Sequence, residues 1–130
     1  MTNRKLKFQP LPGRYAVCRL PADAPIPAWA DCHPFTSVTR TDRELSIVVP
    51  EDRVPPGVHA ESDWTAFRIA GVLDFTEIGL MSAVARIFAD AAIPVFALST
   101  FETDYFFVPS RSLGDAIDAI VAAGHTLVHP

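Results

Sequence analysis

Cysteine is scarce in this 130-residue chain. Cys18 and Cys32 are the two present, too far apart for a CxxC pair and too few for a disulfide framework. Idle or buried thiols are the ordinary reading. Histidine is little commoner: His33, His59, His125 and His129 show no HxxxH or CxxH spacing that would set two ligands on one helical face, so no metal site is expected. Basic charge is short as well. Eleven Lys and Arg stand against fifteen Asp and Glu, a formal net charge of -4, and the basic residues are scattered, which argues against a nucleic-acid partner. No run approaches the roughly 18 apolar residues of a membrane helix. Met1 to Gln9 carries charges with no apolar stretch of signal-peptide length, so a cytoplasmic protein is expected. Also missing are the GxSxG, HExxH, P-loop and GxGxxG motifs. Glu61 with Asp63, and Glu51 with Asp52, read as solvated loop charges, and Cys18 as a buried strand residue. No enzyme, no catalytic residue and no cofactor is therefore expected.

What is present is apolar surface, 49% of residues, enough to build a core. In the second half the apolar period changes from two to about three and a half and back. Trp64 to Ala70 has strand character, and a loop follows over Gly71 to Glu77. From Ile78 to Ala92 the residues Ile78, Met81, Val84, Ala85 and Phe88 recur at helical spacing, until Pro94 ends the helix. Val95 to Thr100 and Asp104 to Pro109 read as a hairpin, joined through Phe101, Glu102 and Thr103. Ser112, with Asp115 three residues on, predicts a helix start; Gly124 closes that helix, and His125 to Val128 forms a last short strand. The order β-α-β-β-α-β is the ferredoxin-like arrangement of two helices over a four-stranded antiparallel sheet.

The first half is a thinner version of the same plan. Strands are expected at Arg14 to Leu20, Phe35 to Arg40 and Glu44 to Pro50, while Pro21, Pro25 and Pro27 allow at most a turn near Ala28 to Asp31. Glu44 to Val48 lies opposite Asp104 to Val108 at an offset of 60, a faint internal repeat. Pro55, Pro56 and Gly57 mark a joint, so the expectation is an abbreviated unit over residues 1–60 and a fuller one over 61–130. A sheet lacking a helix leaves an apolar face open, to be covered by the second half or by another copy of the chain.

Two stretches offer ligand chemistry. The loop into the first helix, through Glu77, Ile78, Gly79 and Leu80, presents open amides and a positive dipole end suited to a carboxylate, and Gly79 permits close approach. The hairpin Ser99, Thr100, Phe101 and Asp104 supplies an acid, hydroxyls and a ring suited to an ammonium group and its stem. Each residue also has a plain structural role: Glu77 as a helix-start charge, Asp104 as a turn residue and Phe101 as hairpin packing.

Residues 62–128 resemble an ACT domain, and specifically that of the CASTOR group of amino-acid sensors and its small bacterial two-unit relatives. The likeness rests on residues 75–80 (FTEIGL), 93–95 (IPV), 99–105 (STFETDY) and 108–109 (VP). It implies an α+β fold of tandem ACT-like βαββαβ units, the first abbreviated. It also implies a free amino acid held between two ACT domains by Glu77, Ile78, Gly79 and Leu80 on one side and Thr100, Phe101 and Asp104 on the other. Ser99 would come from a second subunit, which makes a homodimer the expected assembly. The alternative is a ligand-free module whose apolar sheet edges and faces dock a protein partner.

Overall fold

In the computed structural model, which describes residues 5–71 and 78–128, the chain divides into two compact units. One is built from residues 12–64, the other from residues 1–11 and 65–130. Among the described residues the elements are β1 (Lys7–Pro10), β2 (Tyr15–Leu20), β3 (Ser37–Arg40), β4 (Leu45–Pro50), β5 (His59–Ile69), α1 (Leu80–Asp90), β6 (Phe96–Ser99), β7 (Asp104–Pro109), α2 (Leu113–Ala122) and β8 (Thr126–Leu127). Short 3-10 turns lie at Ala28–Ala30, Glu51–Arg53 and Ser110–Ser112. The fold is α+β, as the change of apolar period requires.

In the 12–64 unit the strand order is β3-β4-β2-β5, every pair antiparallel. Alternation places Leu45, Ile47 and Val49 on one face, where they pack with Ala16 and Cys18. The face expected to need an outside cover is closed largely by the unit's own proline-rich connector. Ala24, Trp29, Ala30 and Cys32 pack into the same cluster, and Arg40 donates to the carbonyls of Ala22 and Ala24, pinning that segment. Glu61 and Asp63 are strand residues, against the loop reading. Asp63 sits at a register shift where β5 carries an extra residue against Tyr15 and Val17, with φ of 73°. Its N–H donates to Glu51 Oε1 at 2.9 Å and its carboxylate meets Arg14 at 3.1 Å, so two partners hold a conformation that a non-glycine residue rarely takes.

In the other unit the order is β6-β7-β5-β1-β8. The sheet therefore has one strand more than the expected four. β1, from a segment read as merely charged, inserts between β5 and β8, antiparallel to the first and parallel to the second. The physical reason lies in two residues: Leu6 and Phe8, 3% and 0% exposed, turn into the core while Lys5 and Lys7 stay outside. Phe8 meets Phe67 edge to face at 6.4 Å, and Gln9 accepts from Arg68 across the register pair. Leu80, Val84 and Phe88 of α1 and Ala116 and Ile120 of α2 close the same core over Phe67, Ile69, Phe106 and Val108. Both helices therefore cover one face of the sheet.

Boundaries moved where packing outweighed pattern. α1 begins at Leu80, and of the expected stripe Val84 and Phe88 are buried, joined by Leu80, whereas Ile78 and Met81 are 84% and 39% exposed. Ser112 occupies the N-cap position of α2, but a 3-10 turn leads into it and its side chain makes no capping bond. The repeat also shifts. β4 and β7 both end in proline followed by a 3-10 turn, and matching Pro50 to Pro109 sets the offset at 59. That offset lays Ile47 and Val49 on Phe106 and Val108, core on core, whereas 60 would exchange the two faces.

Candidate functional site

The hairpin residues singled out in the sequence are brought together. Ser99 and Asp104 form the last register pair of β6 and β7, and Ser99 Oγ donates to Asp104 Oδ1 at 2.6 Å. Asp104 lies two residues from Phe106, a core residue beneath the helices. Its carboxylate is therefore on the helix-covered face at the start of the strand. Thr100 shapes the turn: its N–H donates to the Thr103 carbonyl at 2.8 Å, and its hydroxyl donates to that carbonyl and accepts from the Thr103 N–H. Phe101 stands at the tip, 80% exposed.

Thr103 was not among the residues the sequence pointed to, yet it ties the hairpin to the neighbouring strand β5. It is 3% exposed, and its hydroxyl donates to the carbonyl of Ile69 at 2.8 Å. Ile69 ends β5, so the hairpin turn is tied to the end of that strand. A hydroxyl in a polar turn carries no periodic signal, and only the pairing of β7 with β5 gives it a partner.

At the helix start Gly79 is the N-cap, with φ of 85°, a left-handed conformation that glycine adopts without a side-chain clash. Its carbonyl accepts from the Ala83 N–H, and among the described residues no side-chain capping bond is made at this helix start. Leu80 turns its side chain into the core at 3% exposure and can offer a ligand only backbone, whereas Ile78 is exposed. Glu77 lies outside the described residues. At the end of β5 a cleft of about 230 Å³ is lined by Lys5, Leu6, Lys7, Ile69 and Ala70. Among the described residues no three His, Cys, Asp or Glu side chains are grouped to hold a metal ion, and no helix is long and apolar enough to cross a membrane.

Comparison with known proteins bears on this geometry. A protein of known structure from Agobacterium tumefaciens is 38% identical to this chain, with 98% of this chain and 95% of that one aligned and a TM-score of 0.91. A sequence profile described as ACT domain matches residues 59–121. Residues 59–121 belong to the ACT-domain family. A second profile, described only as an N-terminal domain, matches residues 13–57, so the ACT domain is preceded by a segment with a pattern of its own. A Vibrio cholerae protein of unknown function shares 16% identity over 92% of this chain and 90% of that one, with a TM-score of 0.76. The ligand-free regulatory subunit of aspartate kinase from Thermus thermophilus shares 13% over 94% and 95%, with a TM-score of 0.59. These two likenesses are of fold. No curated protein matches the chain.

Proposed function

We propose that this ACT-domain protein is a non-catalytic regulatory module that binds a free amino acid at the edge shared by the α1 start and the β6–β7 hairpin. The amides at the helix start, through Ile78, Gly79 and Leu80, take the carboxylate, with Glu77 assigned to the same group, and Asp104 takes the ammonium group, steadied by Ser99. Thr100 and Phe101 border the ligand's stem. The observation that supports this reading is the Ser99 to Asp104 bond, which holds a carboxylate on the helix-covered face at the hairpin of a domain whose first helix starts at a left-handed glycine. The aspartate kinase regulatory subunit, a protein of the same fold, adds support.

The finer assignment follows the same line: a cytoplasmic member of the CASTOR-like group, with an abbreviated ACT-like unit within residues 1–60 and a fuller one over 61–130 to which β1 adds a strand, working as a homodimer whose second copy completes the site. Ile78 and Met81 at the α1 start and Phe101 at the hairpin tip, exposed by 84%, 39% and 80%, suit such a contact. They also favour a second reading, a ligand-free docking module. Calorimetric titration and thermal-shift measurement with each of the twenty amino acids separate the two. The ligand-binding reading expects at least one amino acid to bind and raise the melting temperature, with affinity falling about 10- to 100-fold in Asp104→Ala, the loss of one charge-assisted contact. Twenty blank titrations, with self-association unchanged in Asp104→Ala and lost in Phe101→Ser, would leave the docking reading in its place.

A further inference from the structure

His125 lies outside the ligand site and makes an unusual contact. Its Nδ1 accepts the backbone N–H of Leu6 at 3.0 Å, a bond spanning almost the whole chain. The His125 backbone N–H donates to the Ile120 carbonyl at the end of α2, and that of the next residue, Thr126, donates to the Leu6 carbonyl at 3.1 Å. Leu6 is thereby held through both its backbone groups, one of them by a side chain standing in for a strand. The imidazole rests against Phe8, ring centres 5.7 Å apart. The ladder it reinforces is short: β8 has two residues, paired in parallel to Lys7 and Phe8, with one further bond from the Val128 N–H to the Phe8 carbonyl.

An Nδ1 that accepts from an amide must be unprotonated, which leaves Nε2 to carry the ring's hydrogen. Adding a proton at Nδ1 turns the acceptor into a donor facing another donor, so the bond is lost rather than weakened. Of the charged neighbours, Lys5 opposes that protonation: its Nζ occupies the space that a side chain at Gly124 would need, while Lys7 is exposed on β1 and two acids of opposite effect, Asp115 and Asp118, are exposed on α2.

We propose that His125 is an acid-released latch: with Nδ1 unprotonated it fastens the N-terminal strand β1 to the C-terminal strand β8, and protonation unfastens that pair. Burial, and then the Lys5 charge, push the imidazole below its usual value, so the latch is closed at neutral pH. This inference is independent of any ligand at the α1 edge.

The test is amide hydrogen exchange of the full chain between pH 5 and 8, corrected for intrinsic rates, with the ring nitrogens of His125 followed by nitrogen-15 NMR. Above pH 7 the Nδ1 resonance should be that of an unprotonated acceptor. Protection of the Leu6 amide should fall about fivefold to tenfold as the ring titrates, the loss of one net hydrogen bond. His125→Asn keeps an acceptor that does not titrate and should hold protection level across the range; His125→Phe keeps a ring and should show low protection throughout. Leu6 protection that stays level while the ring of the unaltered protein titrates overturns the proposal, even if neither variant folds. An equal fall in His125→Asn overturns it as well.

Discussion

At the scale of single residues, Thr103 shows how a small polar side chain can decide a geometry. Its hydroxyl is buried, and the Ile69 carbonyl it satisfies ends β5. Thr103→Val keeps the shape and removes the donor, leaving a buried carbonyl unpaired at a cost of about 1–3 kcal/mol. Urea denaturation should show that loss, and Thr103→Ser should recover most of it. If Thr103→Val proves as stable as the parent, the hairpin is held by the strand ladder alone. Phe8 makes a different case. It is fully buried, and Phe8→Ala should lower unfolding free energy by about 3–5 kcal/mol, as loss of a core ring does elsewhere. A change under about 1 kcal/mol would mean that β1 is not part of the core.

At the scale of elements, β1 decides how the ACT domain is completed. It stands between β5 and β8, so the ACT-domain unit takes its closing strand from far away in sequence. Residues 65–130 alone lack Leu6 and Phe8 and leave Phe67 and Ile69 bordering a gap. A fragment of those residues should therefore show little cooperative melting by circular dichroism, and adding a peptide of residues 5–11 should restore a transition. A fragment melting as sharply as the full chain would make β1 an accessory. Four residues, Lys-Phe-Gln-Pro, are too few for a strand period to stand out, which is why β1 was hidden in the sequence. The long apolar alternation of β4 and β7, by contrast, was plain, and β7 has the very bounds its pattern predicts. The helix start was only partly legible. Gly79 and Leu80 compete for the first turn, and burial of Leu80 rather than Ile78 settles the phase.

At the scale of the whole molecule, the two units have separate cores, and Cys18 reports on that of the 12–64 unit. Burial raises its thiol above the ordinary value, which favours the neutral form in the folded state. The sign follows: the folded chain holds the proton longer than the unfolded one, so this contribution is complete below the ordinary thiol value and is lost as pH rises through the folded one. At 1% exposure Cys18 should react with an aromatic disulfide reagent no faster than its unit opens, with labelling accelerating in step with denaturant. Rapid labelling under native conditions would show that the connector carrying Trp29 and Cys32 opens readily. His125 has the opposite dependence. Its lowered value makes its contribution complete above pH about 6.5 and lost as pH falls through the folded value.

Period and punctuation alone determined the β-α-β-β-α-β order, the hairpin with Ser99 and Asp104 at its base, and the glycine at the helix start, because these depend on neighbours a few residues apart. Only the tertiary structure decided the insertion of β1, the Thr103 to Ile69 tie, the held bulge at Asp63 and the bond from Leu6 to His125. Each of these joins backbone or side chains distant along the chain, and the free energy of such a contact depends on where the fold brings its partners, information that no local pattern contains.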